Sequence, residues 1–170
     1  MRKTMRLLSV LFFCGFITSV SGAAESQDCI QQGLCITRYP NGQKMTELHF
    51  QNGKPHGTFT SWHENGQKMR EGHFQNGEGH GLVTAWHPSG KKYGEEYYQD
   101  GERQGLWTYW HENGQKMGEG RYQKGKMQGL WSFWYPNGQK LGEQRFQNGE
   151  RRGLWIEWDE NGNERSRKAY

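Results

Sequence analysis

Seven histidines lie between residues 49 and 111: His49, His56, His63, His73, His80, His87 and His111. Imidazole is a common metal ligand and general base, so a metal centre is the first chemistry they raise. Their spacing argues against it. His63, His87 and His111 stand 24 residues apart, and in an antiparallel meander that step is two strand spacings, about 9–10 Å. Ligand bonds to a shared ion are only about 2.1 Å long. These histidines read as polar positions near turns. Glu47, Glu71, Glu95, Glu119 and Glu143 keep the same step, close to the carboxylate separation of inverting glycosidases. A uniform ladder has no asymmetry to raise one pKa and lower another, so hydrogen bonding to Thr60, Thr84, Thr108 and Ser132 is expected instead. The glycine-rich run Gly77-Glu78-Gly79-His80-Gly81 lacks the strand-to-helix context of a phosphate loop. No Gly-x-Ser-x-Gly elbow occurs, and neither Cys29 nor Cys35 has a plausible base. The expectation is an absence of catalytic residues, metal and cofactor.

The best candidate for binding is an aromatic strip formed by Trp107, Tyr109, Trp131, Phe133 and Trp155. Trp and Tyr concentrate binding energy, and contiguous apolar patches mark interaction sites. The competing reading makes the same rings a core stacked repeat on repeat. Most of each ring is expected in that core, with the edges left for a partner.

What would position these residues is a repeat. Gly42, Gly66, Gly90, Gly114, Gly138 and Gly162 recur every 24 residues, as do Trp62, Trp86, Trp110, Trp134 and Trp158. Two further glycine series, starting at Gly53 and Gly57, keep step, and no insertion breaks the register from Tyr39 to Gly162. Such a period signals a repeat architecture. Asn41-Gly42, Asn65-Gly66, Asn113-Gly114, Asn137-Gly138 and Asn161-Gly162 predict two-residue type I′ hairpin turns, with Ser89-Gly90 as a variant. The Gly125–Gly129 type of segment supplies a longer return loop. The flanking segments, rich in Trp, Tyr, Thr and Phe, suit strands of about six to eight residues. The fold class predicted is all-β, an elongated single antiparallel meander of about 10–12 strands without substantial helix. A two-residue turn at Asn113-Gly114 sets Trp110 opposite Met117, Thr108 opposite Glu119, Tyr109 opposite Gly118 and Trp107 opposite Gly120. The next hairpin sets Trp134 opposite Leu141, Ser132 opposite Glu143 and Phe133 opposite Gly142. One side of the sheet thus lays rings over glycines, which restores the packing that a strand glycine loses.

The ends of the chain differ. Arg2, Lys3 and Arg6 precede an uncharged run from Leu7 to Val20 and then Ser21, Gly22, Ala23 and Ala24, the pattern of a cleaved secretory signal. Removing residues 1–24 takes three of the 22 basic residues and none of the 18 acidic ones, which leaves a net charge of +1. That balance and export disfavour nucleic acid as a partner. Cys29 and Cys35 remain as an even pair in an oxidising compartment, which favours a disulfide over two free thiols. The expected organisation is an export signal (1–24), a cap with the cysteine pair (25–38), the repeats (39–162) and a basic tail (163–170) carrying Arg165, Arg167 and Lys168.

The unit Trp-His-Glu-Asn-Gly-Gln-Lys-Met, followed by Glu, an aromatic, Asn-Gly-Lys and Gly-Leu-Trp, resembles the MORN repeat. More narrowly, it is similar to the bacterial variant grouped as YwqK-type antitoxins of toxin–antitoxin systems. The resemblance implies a binding scaffold without catalysis, and a protein partner. With an export signal, it implies an immunity protein or adaptor that is periplasmic or secreted. A glycan or cell-wall surface and a lipid surface are the alternative partners.

Overall fold

The structure is a computed structural model that describes residues 33–170. The export segment, most of the cap and Cys29 lie outside the described residues. Cys35, on the first strand, is disulfide-bonded. Thirteen strands follow in chain order: β1 (Gly33–Arg38), β2 (Lys44–Gln51), β3 (Lys54–Trp62), β4 (Lys68–Gln75), β5 (Glu78–Gly79), β6 (Gly81–Trp86), β7 (Lys92–Gln99), β8 (Glu102–Trp110), β9 (Lys116–Gln123), β10 (Lys126–Trp134), β11 (Lys140–Gln147), β12 (Glu150–Trp158) and β13 (Glu164–Ala169). They form one open antiparallel sheet in sequential order, with β5 off the path and paired only with β4. The meander is as expected, and it extends further at both ends. Residues placed in the cap supply β1, and the segment read as a tail is the edge strand β13, paired with β12 from Leu154↔Ala169 to Trp158↔Glu164. Its four charged residues, Glu164, Arg165, Arg167 and Lys168, are suited to a sheet edge, where they discourage pairing with another chain. The thirteenth strand arises at Gly77–Gly81, where three glycines in five residues interrupt what is elsewhere a single nine-residue strand such as β8.

The two kinds of hairpin turn exchange the roles assigned to them from sequence. Type I′ geometry needs positive φ at both central residues. It occurs at the second glycine series: Asn52 and Gly53 (φ 52° and 71°), Asp100 and Gly101 (51° and 76°), Lys124 and Gly125 (50° and 73°). At the first series only the glycine is left-handed, as at Gly114 (φ 87°). There the Gly114 N–H donates to the His111 carbonyl and the His111 N–H to the Gln115 carbonyl, both at 2.8 Å. This is a three-residue loop, a type I turn closed by a left-handed glycine that forms a bulge. Consequently Trp110 pairs with Lys116 rather than Met117, and Trp134 with Lys140 rather than Leu141. Met117 and Leu141 become extra residues in a local irregularity. Beyond it the register is as expected: Tyr109↔Gly118, Thr108↔Glu119, Trp107↔Gly120, Phe133↔Gly142 and Ser132↔Glu143.

Asn occupies the loop for its side chain rather than for φ. Asn113 Oδ1 accepts from the Gln115 N–H at 3.0 Å, and its Nδ2 donates to the Pro136 carbonyl one repeat on at 2.6 Å. Asn41, Asn65 and Asn137 make the same two bonds to their own loop and the next. The third glycine series marks a second register shift in each unit: Gly105, with φ 71°, lies where the β7–β8 ladder changes step between Tyr97↔Gln104 and Glu95↔Thr108.

Candidate functional site

Cross-strand partners share a face, so the register defines two surfaces. The ring face carries the strip singled out from sequence. Trp107 and Trp131 are its core, only 3% and 4% exposed. Tyr109, Phe133 and Trp155 are half-buried beside them. Trp107 lies 4.5 Å from Tyr122 and 5.4 Å from Tyr98 between ring centroids, and Trp131 lies 5.1 Å from Tyr122. Their indole N–H groups donate to the Tyr97 and Arg121 carbonyls at 3.3 Å. The glycines lie beneath rings, as the register requires. The ring resting on each comes from the following hairpin: Tyr109 on Gly94, Phe133 on Gly118 and Trp131 on Gly120; a Cβ at Gly94 or Gly120 would have no room, and one at Gly118 would press on the ring.

A buried polar cluster on this face was not foreseen. The positions that hold Tyr109 and Phe133 in later repeats hold Ser61 and Ala85 earlier, and Val83 stands where Trp107 and Trp131 stand. Arg70 pairs with both Ser61 and Ala85, and Glu96 with Val83. The guanidinium of Arg70 bonds the Glu96 carboxylate, which is 4% exposed. Glu96 also accepts from the Tyr109 hydroxyl at 3.0 Å and the Tyr98 hydroxyl at 3.2 Å. Burial, reinforced by the Glu96 charge, pushes the Tyr109 phenol far above its ordinary value, and it raises Tyr93 and Tyr98 in the same sense. The sequence signal was the loss of bulk at residues 61, 83 and 85 while two ionisable residues replaced small ones at 70 and 96.

The opposite face repeats different chemistry. Near each of the first five three-residue loops a Lys sits 5.3–5.6 Å from a Trp ring centroid: Lys44 on Trp62, Lys68 on Trp86, Lys92 on Trp110, Lys116 on Trp134 and Lys140 on Trp158. The same ammonium groups hold the glutamate ladder, from Lys44–Glu47 at 2.6 Å to Lys140–Glu143 at 2.8 Å. The glutamates thus pair with lysines rather than with the threonines and serine expected, because the irregularity at Met117 and its equivalents keeps the Lys and Glu three residues apart on one side. Shallow, open hollows form beside this column, about 220 Å³ at Gln115, Lys116, Trp134 and Gly138 and about 180 Å³ at Gln67, Lys68, Trp86 and Gly90.

Six of the seven histidines divide into two sets. His63, His87 and His111 donate from Nε2 to the Trp86, Trp110 and Trp134 carbonyls at 2.8–2.9 Å, so they clasp one repeat to the next. Tyr39 and Tyr135 do the same with their hydroxyls. His56 and His73 meet edge-on at 6.4 Å, and His80 Nδ1 lies 3.6 Å from Asp100. Among the described residues no group of three or more His, Cys, Asp or Glu could hold a metal ion.

A family model described as a MORN repeat variant matches residues 31–52, 55–76, 79–100, 103–124 and 127–148. Each window contains one hairpin closed by a three-residue loop, and the type I′ turns fall at the junctions. The structure adds a sixth hairpin, β12–β13, beyond the last window. A search of the curated proteins finds no match. Five windows of 22 residues cover 110 of the 170, and the chain belongs to the MORN repeat variant family.

Proposed function

We propose that this protein is a non-enzymatic scaffold of the antitoxin or immunity type, exported to the periplasm or beyond, which acts by binding a partner protein. The observation that carries the reading is the difference between the two faces. The protein's own rings fill one of them, whereas the other presents the same side chains at the same step across successive hairpins. A surface of this kind is continuous and open, which suits recognition of an extended partner better than enclosure of a small substrate. The deciding experiment is co-purification of the full chain from its native host with crosslinking: a single enriched protein is expected, and recovery of none overturns the reading. Export is tested separately by cell fractionation and by the mass of the recovered chain, with loss of residues 1–23 or 1–24 expected.

A second reading is a glycan or cell-wall binder. It is favoured by the hollows beside Trp86 and Trp134, which offer an indole and a polar rim at equivalent places two repeats apart. Retention on peptidoglycan or a polysaccharide array is the expected result for that reading, and the absence of retention removes it.

A further inference from the structure

We propose that a leucine–arginine column on the face opposite the rings receives an acidic amphipathic helix; this rests on the reading that the chain binds a protein. One residue per strand builds the column: Leu106 on β8, Arg121 on β9, Leu130 on β10, Arg145 on β11 and Leu154 on β12. The register pairs Leu106↔Arg121 and Leu130↔Arg145 directly, whereas across the two junctions with a register shift Arg121 faces Gln128 and Arg145 faces Arg152, with Leu130 and Leu154 two residues further along their strands. The three leucines are 43–47% exposed, and both arginines are exposed. Large apolar side chains aligned in this way are unusual on a surface that faces only water.

Charge selects the occupant. The glutamates two residues along the same strands, Glu119 and Glu143, are already held by Lys116 and Lys140. Arg121 and Arg145 form no side-chain ion pair or hydrogen bond among the described residues, so two guanidinium groups, each directly opposite one leucine, have their donors available. Guanidinium binds carboxylate with two parallel hydrogen bonds, and that geometry favours an acidic partner.

Spacing selects the form. Neighbouring strands lie about 4.8 Å apart, so successive leucines are two strands and about 9.6 Å apart, with an arginine on the strand between them. A helix rises about 10.5 Å in seven residues and about 5.3 Å in three and a half. A helix lying across the strands, with an apolar residue every seventh position and acids three or four residues on, meets leucine and arginine alternately through about two heptads. An anionic bilayer matches less well, because a plane would also meet the glutamate ladder beside the column.

The test uses the full chain and a fluorescent helical peptide of about 18 residues, with Leu at every seventh position and Glu three and four residues later. A control peptide carries Lys for each Glu. The acidic peptide is expected to bind and the basic one not to, and Arg121→Glu/Arg145→Glu is expected to weaken binding roughly tenfold or more. Arg121→Lys/Arg145→Lys keeps the charge but loses the paired hydrogen bonds, so its affinity is expected to fall between those of the parent and the Glu variant, and circular dichroism confirms that both variants are folded. Equal binding of the two peptides overturns the proposal, as does an affinity of the Glu variant within about twofold of the parent. Arginine-dependent flotation with phosphatidylserine vesicles but no binding of the acidic peptide also overturns it. A host protein retained equally by parent and Glu variant overturns the column but leaves the scaffold reading. Arginine-dependent peptide binding without any retained host protein does the reverse.

Discussion

The two halves of the ring face fill the same positions by opposite means. From β8 to β12 the large groups are Trp107, Tyr109, Trp131, Phe133 and Trp155, and the strands between them supply Gly118, Gly120 and Gly142. From β3 to β7 Phe59 keeps its ring, but the other corresponding positions shrink to Ser61, Val83 and Ala85, and the volume returns from the neighbouring strands as Arg70 and Glu96. One half is closed by dispersion and ring contacts, the other by a buried ion pair with tyrosine hydroxyls around it. Burying charge carries a large desolvation cost that only close pairing offsets. The polar half is therefore expected to tolerate paired replacement and to fail on single replacement, whereas the aromatic half suffers from any truncation.

The largest effect is expected where the aromatic half is cut. Trp131→Ala should cost about 3–5 kcal/mol by chemical denaturation, against about 1–2 kcal/mol for Val83→Ala at the equivalent position. Similar losses at the two sites would dissolve the distinction between the halves. Next comes the ion pair. Arg70→Leu leaves Glu96 buried and unpaired and should cost about 2–4 kcal/mol, while Arg70→Leu/Glu96→Leu should recover most of it. A double variant no more stable than the single one would show that charge is not what fills this half.

Alkaline titration sharpens the same contrast. Tyr93, Tyr98 and Tyr109 are raised in the folded state above 10.0, first by burial and then by Glu96. A raised tyrosine contributes its stability below that ordinary value, and the contribution is lost as the pH rises past it, because the unfolded chain ionises first. Thermal melts should therefore fall above about pH 10, and less so in Tyr109→Phe. Smaller again is the effect at the turns. Lys124 holds φ 50° in a type I′ turn where the equivalent positions 52, 76 and 148 are Asn. Lys124→Asn should stabilise by about 0.5–1 kcal/mol, since a lysine side chain disfavours the left-handed region. Least of all, Lys116→Met at an exposed site should change stability by about 0.5 kcal/mol or less, despite its ion pair and ring contact.

Much of the fold was legible because the information is local and periodic. The 24-residue step, the alternation of rings with glycines and the interior register around Thr108 and Glu119 follow from neighbours a few residues apart. The turns were harder, since Asn-Gly suits both a two-residue type I′ turn and a type I turn with a left-handed glycine. What separates them is the bond from Asn113 to Pro136, which exists only once two repeats are stacked. The histidine clasps are concealed for the same reason: the partner of His111 is a carbonyl 23 residues away.

Sequence alone determined the architecture of this protein, because each repeat obeys short-range rules of turn, alternation and cross-strand volume that recur without a slip. Tertiary structure decided how those parts are used: which turn is left-handed at both residues, which rings are sealed in, and which charges are already paired. These depend on contacts between successive repeats, so the same lysine, glutamate or arginine acquires its role from the strand beside it rather than from its own neighbours in the chain. Arg70 joins Glu96 across 26 residues inside the sheet, while Arg121 and Arg145, no different as residues, stand on the other face with their charge exposed.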